Sequence, residues 1–193
     1  MTTSNSSVLA QNPYRPLPHE AEALCVRVGA PPRLVAHLIL VHDVACALVE
    51  KIAQAFPDVH LNGEFILFGA ATHDLGKTVH PEELTKSGSL HESSGKDLLR
   101  SLGVSDARAR FTFTHGNWKE LDPPQIEDLL VALADKCWKG KRVEALEEMI
   151  VACISNASGI EPWQCYSKLD EIVQDVAADA DARLAWQMSF PVE

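Results

Sequence analysis

Apolar residues recur three and four positions apart along most of this chain, and no stretch alternates apolar and polar residues as a half-buried strand does. This spacing places one apolar stripe on a helix. Glycines and prolines separate the apolar stretches and mark the helix ends. The pattern predicts an all-α fold with helices over residues 19–28, 33–56, 64–75, 91–102, 125–138, 142–154 and 161–188, and a short helix from Ser105 towards His115.

The segment 33–56 is apolar almost all round, which indicates a helix at the centre of the fold. Its most apolar run, residues 34–49, resembles a membrane span in composition. The run is short for that purpose, and His37, His42 and Asp43 interrupt it. The sequence therefore predicts a buried core helix and no membrane association.

With 193 residues, the chain is long enough for one domain with a substantial core. Residues 1–16 are polar and punctuated by prolines, so we expect a flexible arm there. Residues 17–193 are expected to form a single compact helical bundle, with the C-terminal helices closing it. The segment 161–188, with Trp163 and Trp186, packs either on this core or on a second subunit, and the sequence leaves both open.

The net charge of −10 makes binding to DNA, RNA or anionic membranes unfavourable. The five cysteines are scattered, and none lies in a C-x-x-C pair. We therefore expect reduced, mostly buried thiols and a cytoplasmic protein. The first residues lack the basic and apolar regions of a signal peptide, in agreement with that location.

The adjacent pair His73–Asp74 lies in the apolar run FGAATHDLGK. Burying both side chains is costly unless a partner satisfies them, and a bound cation does so for both. Lys77 follows one turn later and can face the same site, where its charge would stabilise an anion that develops during a reaction. His37 and Asp135 also occur in strongly apolar helical segments.

These two residues each have a second interpretation. A single histidine on an apolar helix face, such as His37, is more often a hydrogen-bonded core residue, and His42 competes with it for any role as a ligand. Asp135 can pair with Lys136 or Lys139 instead of a metal. The basic cluster that begins at Lys136, with Lys139, Lys141 and Arg142, is either a contact for an anionic substrate or a solvated helix end.

His91 and His115 complete the candidate set, although each could be a surface histidine. Imidazoles and carboxylates together suit divalent cations such as Mn, Fe or Zn. Four histidines and two aspartates match two adjacent cations bridged by Asp74. This arrangement requires His91 and His115 to lie on the opposite side of Asp74 from His37 and Asp135.

These residues carry a family resemblance. The order H…HD…D, formed by His37, His73–Asp74 and Asp135, resembles that of the HD-domain superfamily of metal-dependent phosphohydrolases. HDLGK is similar to the central motif of this superfamily, and LLVALADKCWKGKR to its last metal-binding helix. The register of the first helix favours His37 over His42. His91 with Gly95 resembles the dinuclear branch that includes HD-GYP domains, but GNWKELDPP follows His115 in place of the GYP element.

The resemblance implies a phosphohydrolase that acts on a phosphorylated small molecule, either a phosphomonoester or a phosphodiester and including nucleotides. A hydroxide between two divalent metals would attack phosphorus, with Asp74 as the bridge and Lys77 as a second catalytic residue. Lys136 and Trp118 are the expected substrate contacts. The same ligand order also occurs in mixed-valent diiron oxygenases of the superfamily, which act on small polar substrates. A third alternative is a non-enzymatic sensor, which the complete set of candidate ligands disfavours.

Overall fold

The computed structural model describes residue 8 and residues 12–192. No strand occurs among these residues, so the all-α prediction is confirmed. Short 3₁₀ turns cover Leu75–Thr78, Pro81–Leu84 and Trp118–Glu120. The helices in chain order are α1 (His19–Arg27), α2 (Pro32–Ala55), α3 (Gly63–Thr72), α4 (Leu90–Ser101), α5 (Asp106–Ala109), α6 (Phe111–Thr114), α7 (Ile126–Cys137), α8 (Glu144–Ser158), α9 (Pro162–Ala177) and α10 (Ala180–Met188).

Helix α2 lies at the centre, as its all-round apolar sequence predicts. Proline occupies its first helical position, where the missing N–H has no partner to lose. The helix packs against α3, α7, α9 and α10. It is long and apolar enough to cross a bilayer, but 72% of its most apolar window is buried inside the fold. It is therefore a buried core helix, as the sequence predicts.

Helix α3 ends earlier than predicted, and this changes the setting of the His73–Asp74 pair. The side chain of Asn62 accepts a hydrogen bond from the N–H of Phe65 and begins the helix. The last helical residue is Thr72, so the expectation that the helix continues through residue 75 is wrong. Asp74 leaves helical geometry with φ −102° and ψ 6°, and a 3₁₀ turn follows. Asp74 therefore lies at a junction between two elements.

This 3₁₀ turn crosses α4 at very short range through two glycines. A Cβ atom at Gly76 would overlap the carbonyl oxygen of His91 and would lie 2.8 Å from the Cα of Gly95. Real Cβ atoms do not approach backbone this closely, so the crossing requires glycine at position 76. The crossing brings α4, and with it His91, beside Asp74.

The predicted helix over residues 161–188 is divided into α9 and α10. Asp179 has φ −93° and ψ 17°, which are not helical values, and α10 starts after it. Leu169 and Val173 of α9 belong to the same core as α2. Trp186 of α10 packs edge-on against Tyr14, whereas Trp163 is exposed. These helices therefore pack on the core and close the bundle. Packing of this segment against a second subunit stays a prediction.

Most of the predicted N-terminal arm, residues 1–7 and 9–11, lies outside the described residues. The remainder that is described contacts α2. Arg15 pairs with Asp43 at 3.3 Å and with Glu50 at 2.8 Å. Residues 12–16 therefore follow the surface of the central helix.

Candidate metal centre

The six candidate ligands come from five different parts of the fold and converge on one buried place. His37 lies on α2, His73 and Asp74 follow α3, and the others lie on α4, after α6 and on α7. None of them is more than 8% exposed. The six residues are His37, His73, Asp74, His91, His115 and Asp135.

The first half of the centre consists of His37, His73 and Asp135. The Nε2 atoms of the two histidines are 3.2 Å apart, and each lies 3.6 Å from Oδ1 of Asp135. One nitrogen or oxygen atom from each of the three residues lies within 4.8 Å of the others. Three donor atoms at such distances can surround a single cation.

Asp74 stands between two pairs of histidines. Its Oδ2 lies 3.1 Å from Nε2 of His37 and 3.6 Å from Nε2 of His73. Its Oδ1 lies 3.1 Å from Nε2 of His91 and 3.5 Å from Nε2 of His115. The two oxygens of one carboxylate thus face different imidazole pairs, which is what a carboxylate bridging two cations requires.

The tautomers of His73, His91 and His115 fit metal ligation. His73 and His115 each donate Nδ1–H to a backbone carbonyl of the preceding turn, at 3.0 and 3.2 Å. In the neutral imidazole this leaves a lone pair on Nε2, the atom that points into the centre. Nε2 of His91 is buried, and no described residue offers it an aligned hydrogen-bond partner. An unpartnered buried nitrogen among carboxylates is costly, and a cation would satisfy it.

Glu83 is a further residue of the candidate site, which sequence reasoning missed. It lies in the turn Pro81–Leu84, and its Oε2 accepts a hydrogen bond from Nδ1–H of His91 at 2.5 Å. It also accepts the backbone N–H groups of Leu90 and His91, at 3.0 and 3.1 Å. A Cβ atom at Gly88 would overlap this carboxylate. Glu83 therefore caps α4 and fixes the ring of His91 with Nε2 directed at Asp74.

Two lysines contact the candidate carboxylates. Nζ of Lys77 lies 2.5 Å from Oδ2 of Asp74, and Nζ of Lys136 lies 2.6 Å from Oδ2 of Asp135. Asp135 thus contacts both a lysine and the histidines. Pairing with Lys136 is therefore compatible with a role as a metal ligand. Lys77 reaches the centre, as its spacing from Asp74 predicts.

The charges around the centre keep its carboxylates ionised. Burial alone would raise the pKa of Asp74, but the neighbouring imidazole of His73 and the ammonium group of Lys77 hold it well below its usual range. Asp135 behaves similarly: burial opposes ionisation, but the imidazole of His73 and the ammonium group of Lys136 outweigh it, so its pKa is also well below the usual range. Ionised carboxylates are the form that binds cations.

The centre opens into a cleft of about 300 Å³. Lys136, Lys139, Trp138 and Gln187 line it together with Lys77. The indole ring of Trp138 packs edge-on against His37, with 5.0 Å between ring centroids. The cleft is therefore cationic above the candidate ligands.

One sequence expectation about the cleft needs correction. Trp118 does not line it but is buried in the main core, because the turn Trp118–Glu120 packs against α7. Trp138 occupies the position at the cleft instead. Of the basic cluster, Lys136 and Lys139 reach the cleft, whereas Arg142 is engaged by Glu147 at the surface of the bundle.

His42, the competitor of His37, lies apart from the centre. It is buried beside Cys46, with 3.7 Å between Nε2 and Sγ. Burial lowers its pKa to about 4. His42 is thus a neutral core histidine, and His37 is the residue of this helix that faces the other candidate ligands.

Comparison with known proteins gives one family match. The family model of the HD domain matches residues 34–138, which is more than half of the chain. All six candidate ligands, together with Glu83, Lys77 and Lys136, fall within the matched segment. No solved structure matches this chain significantly.

Proposed function

Because this chain belongs to the HD domain family, we propose that it is a metal-dependent phosphohydrolase that cleaves a phosphomonoester or a phosphodiester. HD domains bind divalent metals, and the buried clusters of histidine and aspartate are compatible with such a site. The proposed ligands are His37, His73, Asp74, His91, His115 and Asp135.

The single observation that carries the proposal is the position of Asp74. Each of its two carboxylate oxygens faces a separate pair of imidazoles, with 3.1 Å to the nearer nitrogen on either side. A mononuclear site needs imidazoles on only one side of the carboxylate. A pair of divalent cations supplies Lewis acidity toward a phosphoryl oxygen and an activated water at neutral pH.

The chain's own residues have distinct proposed roles. Asp74 holds the two halves of the centre together. Lys77 lies against Asp74 and lines the cleft, so its ammonium group is available to stabilise charge on the leaving oxygen. Glu83 keeps His91 in a single orientation.

The charge, lining and volume of the cleft favour a small anionic substrate. Lys136 and Lys139 place positive charge at its wall, and Trp138 offers an apolar face. A cleft of about 300 Å³ is at the lower end of ligand pockets, which favours a compact phosphate ester over a polymer. The net charge of −10 also disfavours nucleic acids as partners.

The test combines metal analysis with a hydrolysis assay. The purified protein is analysed for Mn, Fe and Zn, reloaded with each metal, and assayed on p-nitrophenyl phosphate and bis-p-nitrophenyl phosphate. We expect metal-dependent release of p-nitrophenol and a loss of about 100-fold or more in the Asp74→Ala variant. Asp97→Ala, which changes an exposed aspartate of α4, is the matched control and keeps full activity.

Other outcomes contradict the proposal in different ways. Protein that binds no metal after reloading has no centre of this kind. An iron form that consumes dioxygen, shows a mixed-valent spectrum and releases no phenol is a diiron oxygenase. If the protein does release p-nitrophenol, a screen of natural phosphomonoesters and phosphodiesters identifies the substrate.

A further inference from the structure

We propose that Glu92 is a seventh ligand of the metal centre and serves as the terminal carboxylate of the second cation. The inference rests on the proposed two-metal site and adds to it a residue that the motif pattern does not include. Glu92 follows His91 in α4 and lines the same cleft as His115.

The distances place Glu92 with the second pair of histidines. One donor atom each from His91, Glu92 and His115 lies within 4.8 Å of the others. The imidazoles use Nδ1 for hydrogen bonds to Glu83 and to a backbone carbonyl, so both keep Nε2 for a cation. Glu92 is half-buried, so its carboxylate lies at the inner wall of the cleft and not in bulk water.

Two neighbours hold the Glu92 carboxylate in this position. A Cβ atom at Gly116 would overlap Oε1 of Glu92, so the glycine after His115 leaves room for that oxygen. The side-chain amide of Asn117 donates to Oε2 of Glu92 at 2.6 Å and to the carbonyl of Phe113 at 3.0 Å. Oε1 makes no hydrogen bond within the described part of the chain, so it remains available to a cation.

With Glu92 included, the two halves of the centre have matching donors. The first half contains His37, His73 and the terminal carboxylate of Asp135. The second contains His91, His115 and the terminal carboxylate of Glu92, and Asp74 is shared. The three carboxylates nearly balance the four positive charges of two divalent cations. The ammonium groups of Lys77 and Lys136 at the cleft add positive charge, which favours binding of an anionic phosphate ester.

Titration with Mn²⁺ tests the inference without any assay of activity. Metal-free protein is titrated by calorimetry, and the magnetic coupling between two Mn²⁺ ions is followed by electron paramagnetic resonance. The variants are Glu92→Gln, which removes the charge, and Gly116→Ala, which displaces the carboxylate but keeps it. Glu148→Gln, on the exposed face of α8, is the control.

We expect the wild type to bind two Mn²⁺ ions. In Glu92→Gln the second ion should bind about tenfold or more weakly while the first is unchanged, and the coupled signal should disappear at two equivalents. Gly116→Ala should lie between this variant and the wild type. If circular dichroism shows that Glu92→Gln is unfolded, a weakened second ion in Gly116→Ala supports the inference, and an unchanged one overturns it.

Failure of this inference differs from failure of the proposed function. A folded Glu92→Gln variant that binds two Mn²⁺ ions with wild-type affinity overturns the role of Glu92 and leaves the proposed centre intact. A wild type that binds fewer than two ions overturns both. Glu148→Gln must match the wild type in either case.

Discussion

Among single residues, Glu83 combines a structural and a positioning role in one carboxylate. It accepts hydrogen bonds from two backbone N–H groups at the start of α4 and from the ring of His91. Carboxylates that receive the second N–H of a histidine fix its tautomer and increase its basicity as a ligand. The orientation of His91 therefore depends on a turn that contributes no ligand itself.

Glu83→Gln should weaken the second cation. The amide keeps the size of the side chain, but its NH₂ group cannot accept the hydrogen bond that one carboxylate oxygen accepts. We expect the affinity for the second Mn²⁺ to fall about 10- to 100-fold. Nitrogen-15 NMR of the histidines should show loss of the Nδ1–H tautomer of His91, a change that a general loss of stability would not produce.

The control for this variant is Glu82→Gln, the exposed neighbour in the same turn, whose carboxylate lies 3.6 Å from Nδ1 of His80. An unchanged tautomer of His91 together with unchanged binding of Mn²⁺ in Glu83→Gln would show that Glu83 is only a helix cap.

Among the elements, the crossing of the turn Leu75–Thr78 with α4 sets the distance between the halves of the centre. The turn contains Gly76 and directly follows Asp74, whereas α4 contains His91. Because backbone contacts backbone at Gly76, no side-chain rearrangement can relieve an added methyl group there. The length of the bridge through Asp74 is therefore fixed by packing of the main chain.

Gly76→Ala should separate α4 from the turn. The added Cβ would overlap backbone atoms, so we expect a loss of about 3 kcal/mol in the free energy of unfolding, at the upper end for overpacking. The second Mn²⁺ should be lost while the first remains. Urea unfolding and Mn²⁺ titration measure the two effects.

Gly63→Ala provides the matched control. A Cβ atom at position 63 would meet only a methyl group of Val49 at 3.7 Å, which is an ordinary contact. If Gly76→Ala is as stable as Gly63→Ala, the close crossing does not exist in solution.

For the molecule as a whole, a buried neutral histidine makes stability depend on pH. The pKa of His42 is about 4 in the folded state because burial disfavours its charged form, against 6.5 in an exposed chain. Between these values the unfolded chain binds the proton more readily. The contribution of His42 is therefore complete above pH 6.5 and is lost as the pH falls towards 4.

Comparison of the wild type with His42→Gln isolates this effect, because other groups titrate equally in both. Between pH 7.5 and pH 5 the wild type should lose about 2 kcal/mol more in the free energy of unfolding than the variant. Urea unfolding at the two pH values measures the difference. Equal losses would mean that His42 is accessible to solvent in the folded protein.

Much of the architecture could be predicted from the sequence because local patterns determine it. Helix α2 begins and ends within one residue of the positions predicted from the sequence. The site required more than local pattern. Glu83 lies in a turn without apolar periodicity, and its partner His91 is eight positions away. Trp138 lines the cleft in place of Trp118, because only tertiary packing decides which indole faces it.

The edge-on contact between Trp138 and His37 has a spectroscopic consequence. Indole emission is quenched by a nearby cation with unpaired electrons, such as Mn²⁺ or high-spin Fe²⁺, and is much less affected by Zn²⁺. Trp138 is an indole in direct contact with a proposed ligand of the first cation. If the proposed centre binds metal, the emission of Trp138 should fall on addition of Mn²⁺ or Fe²⁺ and change much less with Zn²⁺.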